Sequence, residues 1–332
     1  MKLFKCHFCG QTAVADGDNF FCFSCGMGGD RVSCLRARDK ITYKSAARKL
    51  HTKLLPEEDR WEEKKKVLAA LADAAWFFST RKNSAKTAYF EGRKLKKETV
   101  KNFSLGYARG GQSLYNFLLE KGVEEKVMKE AGLIYINAET GKVSDKFWNR
   151  IMFPIWDEYG RVIGFGGRVL DDEEKPKYMN SPESLVFDKS HNLYAMHMAK
   201  ESLEDYFILA EGYIDVISLH QNGFTNAVAS LGTAFTHGHA ELIAKHKKSV
   251  CVVPDTDGPG QNAATKTVSI LLKKGLDVKV ASVAPYKDVD ELLVAEGPDE
   301  LKKRIETAIT GEQFLIKEKS AKEIAAFIFA NC

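Results

Sequence analysis

Tyr206-Phe207-Ile208-Leu209-Ala210-Glu211-Gly212-Tyr213-Ile214-Asp215 decides the fold of the second half of this chain. Residues 206–210 are uniformly apolar or aromatic, without the alternation of a strand that has one wet face, so they read as a strand buried on both sides. The glycine ends it, and residues 213–221 read as a helix. The same rhythm continues with a short strand at 227–229, a helix at 239–246, a strand at 249–253, a helix at 260–274 and a strand at 277–282. Apolar strands separated by helices of this length predict a parallel sheet covered on both faces, spanning about 205–297. In such sheets the chemistry sits beyond the carboxyl ends of the strands.

Those ends are acidic. The first delivers Glu211, the third Asp255 and Asp257 within Pro254-Asp255-Thr256-Asp257-Gly258-Pro259-Gly260, and the fourth is followed by Asp288 and Asp290. Taken one at a time, each is readable as a helix N-cap or a turn residue. Together on one rim they repel one another unless a divalent cation joins them, and hard carboxylate oxygens suit Mg2+ or Mn2+. Metal-assisted phosphoryl chemistry is the natural use of such a rim.

Upstream, residues 86–204 read as mixed α/β, with a helical stretch to Lys97 and helices around 114–121 and 124–131. The strands 150–155 and 162–168 flank the turn Asp157-Glu158-Tyr159-Gly160-Arg161 as antiparallel neighbours. The charge-dense run 56–66 is either a solvated linker or the polar start of an apolar helix over 67–78, so residues 56–85 separate this part from what precedes it.

The first 55 residues are a different material. They hold ten Lys/Arg against four acids, an excess of six positive charges in a chain whose formal net charge is only +4. Five of the seven cysteines fall here, four of them within twenty residues as Cys6-x2-Cys9-x12-Cys22-x2-Cys25. Two such pairs at this separation present four thiolates tetrahedrally to one structural Zn2+, which holds a small ribbon too short to build a core. A basic module beside an acidic body suggests a polyanion-binding appendage.

With 332 residues, 44% of them apolar, the chain can bury a core and form two or three domains. No run approaches the roughly 18 apolar residues of a membrane span, and Met1–Cys6 lacks a signal peptide's apolar stretch, so a soluble cytoplasmic protein without membrane contact is expected. There is no GxxxxGK[ST] phosphate loop and no GxSxG elbow. Gly164-Phe165-Gly166-Gly167-Arg168 does not complete a dinucleotide fingerprint.

In the order of these parts, the chain resembles the DnaG-type bacterial primases. The resemblance rests on Cys22-Phe23-Ser24-Cys25, on Phe103-Ser104-Leu105-Gly106-Tyr107, on Asn149-Arg150-Ile151-Met152-Phe153-Pro154-Ile155 and on Gly164–Arg168. It continues through Lys177-Tyr178-Met179-Asn180-Ser181-Pro182-Glu183, Glu211-Gly212-Tyr213-Ile214-Asp215-Val216, Leu231-Gly232-Thr233-Ala234 and the acidic pairs. It implies an α/β multi-domain protein: a four-cysteine zinc ribbon over 1–55, a mixed α/β primase core over 86–204, a TOPRIM parallel-sheet subdomain over 205–297 and a short helical tail over 298–332. Glu211, Asp255 and Asp257 would be the central Mg2+ or Mn2+ ligands, with Asp215, Asp288 and Asp290 supporting them. Arg150, Arg168, Lys177, Asn180 and Lys189 would hold nucleotide or template. The implied partners are single-stranded DNA, ribonucleoside triphosphates and the RNA primer.

The chain departs from the family at Cys9, where a histidine is usual, and at Thr256 and Val289 inside the two acidic pairs; every carboxylate is kept. It stops after one helical tail, which reads either as a compact primase or as a truncated product; in both cases docking of a replicative helicase through the usual C-terminal domain is not expected, and any such contact would use a non-standard interface. The same acids would also serve a TOPRIM nuclease, and a non-catalytic DNA-binding accessory is the third reading.

Overall fold

The computed structural model describes residues 57–318 apart from 172 and 233, with side chains from Trp61 onward, and the backbone of four N-terminal strands. The chain divides into two compact units, Met1–Lys65 and Lys66–Cys332. In the first, β1 (Lys2–Lys5), β2 (Thr12–Asp16), β3 (Asn19–Cys22) and β4 (Gly28–Asp30) form an antiparallel sheet in chain order. Cys22 is the last residue of β3. Cys6, Cys9 and Cys25, and the helix expected near 41–50, lie outside the described residues.

The charged run before residue 67 is the polar start of a helix: α1 spans Glu57–Thr80. Its Val67, Ala70, Leu71, Ala74 and Phe78 recur at spacings of three and four and are all buried, which is the stripe that seats a helix on a core. After it come α2 (Ser84–Gly92), α3 (Lys97–Asn102), β5 (Gly106–Ala108), α4 (Ser113–Glu120), α5 (Glu125–Glu130) and the hairpin β6 (Ile134–Ile136) and β7 (Val143–Asp145). The helical stretch expected to run to Lys97 stops at Gly92 and restarts at Lys97. Next, β8 (Arg150–Trp156), β9 (Val162–Val169) and β10 (Tyr178–Asn180) join β5 in an antiparallel sheet ordered β10-β9-β8-β5. The expected pairing of β8 with β9 is present, and Asp157 closes their turn by accepting the N–H groups of Tyr159 and Arg161. Both faces of this sheet are covered. Met152 and Phe165 pack with the α1 stripe, whereas Ile151 and Phe153 join the core that underlies the C-terminal sheet.

The C-terminal part runs α6 (Met196–Ala199), β11 (Tyr206–Ala210), α7 (Tyr213–Gln221), β12 (Ala227–Ala229), α8 (His237–His246), β13 (Ser249–Val252), α9 (Gly258–Lys273), β14 (Asp277–Val280), α10 (Val289–Glu296), α11 (Pro298–Glu306) and β15 (Ile309–Thr310). The sheet order is β12-β11-β13-β14-β15, parallel except for β15. Alternate residues of each strand enter opposite cores. Ile208, Ala210 and Cys251 pack towards α7, α10 and α11, while Phe207, Leu209, Val250 and Val252 pack towards α8 and α9. Burial on both faces explains the uninterrupted apolar runs. The tail is not helical throughout as expected. Ile309–Thr310 adds a strand against β14, covering an edge that would otherwise present unpaired backbone, and residues 311–318 are helical. A two-residue strand is too short to carry a pattern. Among the described residues no helix is long and apolar enough to cross a membrane.

Candidate active site

Chain order and sheet order part company at β11: its successor β12 lies on one side of it, and β13 lies on the other. Such a switch point opens a crevice beyond the carboxyl ends of the two central strands. Leu209 pairs with Val252, so β11 and β13 end level, and Glu211 and Asp255 leave them side by side. A Glu211 carboxylate oxygen, Oε1, accepts the backbone N–H of Asp255 at 3.1 Å. Gly260, in the first turn of α9, permits this crowding. A Cβ there would sit 2.8 Å from the Asp255 carbonyl and 2.9 Å from Glu211 Oε1.

The six expected acids reach the rim in different ways. Asp257 caps α9, accepting the Gly260 N–H at 2.8 Å, and Asp288 caps α10, accepting the Glu291 N–H at 2.9 Å. Asp215 folds back to accept the N–H of Gly212 at 2.9 Å. Asp257 and Asp288 are thus both helix N-caps, and Asp257, unlike the other five acids, does not line the cleft that they share. Asp290 is buried and paired with Arg93 at 3.1 Å. The Asp255 carboxylate makes no hydrogen bond or ion pair among the described residues.

Electrostatics record the crowding. Burial pushes Asp255 up to about 7, and Glu211, Asp288 and Asp257 add to it while Lys287 opposes. Asp215 is pushed up to about 8 by burial and then by Asp288, Asp255 and Asp290. Burial, with Asp257 behind it, also raises Glu211. Among the described residues no three His, Cys, Asp or Glu side chains are drawn close enough to enclose a metal ion as they stand. The donor set nevertheless fits a hard divalent cation: these are carboxylate oxygens whose ionised forms repel one another, and the repulsion that raises Asp255 and Asp215 persists beside Lys287 and the Arg93–Asp290 pair.

A cleft of about 360 Å³ joins this rim to the antiparallel sheet, and it brings Glu211, Asp215, Asp255, Asp288 and Asp290 together with Arg168, Lys177 and Asn180. Asn180 bridges the two parts, its Nδ2 donating to the Leu231 carbonyl at 2.6 Å and its Oδ1 accepting from the Tyr213 hydroxyl at 2.9 Å. Arg150 and Lys189, expected beside them, do not line it. Arg150 is buried and donates to the carbonyls of Gly167 at 3.1 Å and Pro176 at 3.0 Å, so it fixes the segment that carries Lys177. Lys189 sits on a 3-10 turn whose carbonyl accepts from His239 Nε2 at 2.7 Å. Sequence reasoning missed Arg93 and Lys287, which do line the cleft. Lys287 adjoins Asp288 and was findable there, but nothing local ties Arg93 to Asp290.

Residues 76–200 match the family model described as DNA primase catalytic core, N-terminal domain, and residues 208–293 match the Toprim-like model. The DNA primase of Clostridium acetobutylicum is 36% identical over 308 residues, covering 89% of this chain and 51% of that protein. The DNA primase of Deinococcus radiodurans is 38% identical, covering 87% and 54%. The chain thus spans about half the length of these curated relatives. A solved DNA primase domain from Pseudomonas aeruginosa superposes with a TM-score of 0.71 at 37% identity, covering 76% of this chain and 82% of that one. The Aquifex aeolicus primase, solved with its zinc-binding and RNA polymerase domains, gives 0.73 at 32%, covering 97% and 82%. A DnaG primase catalytic domain solved bound to single-stranded DNA gives 0.71 at 30%, covering 77% and 83%.

Proposed function

The chain belongs to the DnaG-type DNA primase family, and on that premise we propose that it makes short RNA primers on single-stranded DNA by metal-dependent nucleotidyl transfer. The observation that carries this reading is the Glu211–Asp255 pair at the sheet's switch point, opening into one cleft with Arg168 and Lys177. Acids that gain from a divalent cation and bases that gain from phosphate share one opening. The reaction joins a 3′-hydroxyl to the α-phosphate of a ribonucleoside triphosphate and releases pyrophosphate.

Glu211 and Asp255 would hold Mg2+ or Mn2+, with Asp257 and Asp288 supporting them from the capped ends of α9 and α10. The cation, when bound, neutralises phosphate oxygens and makes the attacking hydroxyl easier to deprotonate. Arg168 and Lys177 offset the remaining triphosphate charge. Asn180 keeps the antiparallel sheet in register with the rim, and Arg150 positions the Lys177 segment. Asp215 holds the first turn of α7 beside Glu211.

For the N-terminal unit, we propose a structural Zn2+ held by Cys6, Cys9, Cys22 and Cys25. Lys5 pairs with Thr12 and Cys22 with Ala13, so β1 and β3, each leading into one cysteine pair, end at the same end of the sheet. Elemental analysis should find about one zinc per chain.

The test is direct. Purified protein with single-stranded DNA, labelled ribonucleotides and Mg2+ or Mn2+ should yield short RNA. Cut DNA without RNA would assign the cleft to a nuclease instead, and binding without either product would leave a non-catalytic accessory.

A further inference from the structure

Trp148 stands two residues before the buried Arg150, yet 58% of its own surface is exposed. Its position is fixed by its surroundings. Gly110, at φ +83°, lies against the indole so closely that a Cβ there would fall 2.1 Å from Trp148 Cδ1. The next residue, Asn149, is left-handed at φ +50°. Its Oδ1 accepts from the Tyr107 hydroxyl at 2.8 Å, and its Nδ2 donates to Glu174 Oε1 at 3.4 Å. Phe147 before it is buried in the α1 core, so the chain is held on both sides while the indole between stays in water.

Trp148 does not itself line the cleft, but the end of the sheet that carries it also carries Lys177, which does. Arg150 donates to the Pro176 carbonyl, and the Val169 N–H donates to the Lys177 carbonyl, so the Trp148 end of β8 is bonded to the segment that brings Lys177 to the rim. Ala108 pairs with Arg150, which places the exposed Arg109 off the same end of the sheet. In strand order Trp148, just ahead of β8, lies between Arg109 after β5 and Lys177 before β10, and an exposed, fixed indole between two basic positions has the composition of a surface that stacks unpaired bases while its charges follow the backbone. We propose that Trp148 is a stacking platform for an unpaired base of the single-stranded DNA template on its approach to the cleft. The proposal rests on the primase reading and deepens it.

The test is binding of a fluorescent single-stranded oligodeoxynucleotide to the full chain, measured by anisotropy across a salt series. Trp148→Ala should weaken binding roughly tenfold, within the range base–aromatic stacking supplies. The slope of affinity against salt should stay unchanged, because no phosphate contact is lost. Trp148→Phe should recover most of the affinity and Trp148→Leu, equally apolar but without a π-face, should not. Affinity of Trp148→Ala within twofold of the parent chain, or equal behaviour of the Phe and Leu variants, would overturn the proposal. Running RNA synthesis by the parent chain in parallel separates the two ideas. A parent that binds DNA through Trp148 but makes no RNA counts against the primase reading alone, and a parent that makes RNA while binding indifferently to Trp148 counts against the platform alone.

Discussion

Glu211 Oε1 accepts the backbone N–H of Asp255 at 3.1 Å, so the acid ending one parallel strand is tied to the main chain that carries the acid ending its neighbour. Their separation is therefore set by the sheet rather than by flexible loops. Glu211→Gln keeps an oxygen acceptor for that N–H and Asp255→Asn keeps the shape, so each removes charge without removing the scaffold. Either change should lower RNA synthesis by roughly 10² or more, the scale on which losing one group that stabilises developing charge is felt. Oligonucleotide affinity should stay within about twofold. Full synthesis by either variant would remove these residues from the chemistry.

The crowded rim also makes a prediction about stability without metal. Asp255 and Asp215 titrate at about 7 and about 8 in the folded chain, above the ordinary 3.8. Below 3.8 both folded and unfolded states hold these protons and no repulsion exists. As pH rises from there through 7 and 8, the unfolded chain releases its protons more readily than the folded one, so stability falls with pH. In chelator the thermal midpoint should therefore drop between pH 5 and 8 by several degrees, the scale of about one or two kcal/mol in a domain of this size. Asp215→Asn should flatten the drop, and Mn2+ added at pH 8 should reverse it. A midpoint that climbs over this range in chelator would contradict the burial of these acids.

Much of the rim was readable because strand, turn and helix signals are local. Five apolar residues ending in Glu211, and four ending before Asp255, announce strands whose carboxyl ends carry acids. What escaped is what folding brings together over distance. Arg150 reads as one more base in a nucleotide-binding protein, but its guanidinium turns inward onto the carbonyls of Gly167 and Pro176, partners 17 and 26 residues away that no local signal ties to it. Gly164, Gly166 and Gly167 read as an incomplete cofactor loop, whereas their hydrogens make room for aromatic rings. Phe187 lies against Gly164, Tyr213 against Gly166 and Phe147 against Gly167.

Gly166 makes that space measurable. A Cβ on it would lie 2.6 Å from Tyr213 Cζ and 2.7 Å from the hydroxyl, and the Tyr213 ring is sandwiched, stacking on Phe153 at 5.1 Å. The ring has nowhere to retreat without breaking its bond to Asn180. Gly166→Ala should cost about 1–3 kcal/mol, as overpacking a close-packed core does, visible as a lower urea midpoint. Synthesis should fall even well below the melting range, because Asn180 loses the contact that sets the rim against the antiparallel sheet. Unchanged stability would mean that the two sheets are not pressed together at this point.

The last relationship joins α2 to α10. Arg93 reaches Asp290 across 197 residues of sequence, with side-chain exposures of 38% and 8%. Removing the arginine leaves a carboxylate that burial already holds above its ordinary range. Breaking a fully buried pair from one side costs about 3–5 kcal/mol, but the arginine is partly in water, so about 1–3 is expected for Arg93→Ala. Asp290→Asn in the same background removes the stranded charge and should recover part of the loss. The two changes should then be non-additive by about 0.5–3 kcal/mol in a double-mutant cycle read by urea unfolding. Strict additivity would mean that the two groups do not interact in solution. A recovery in the double variant would show that Asp290 needs its charge answered by Arg93, which places it with the scaffold of the rim rather than with the acids left open to a cation.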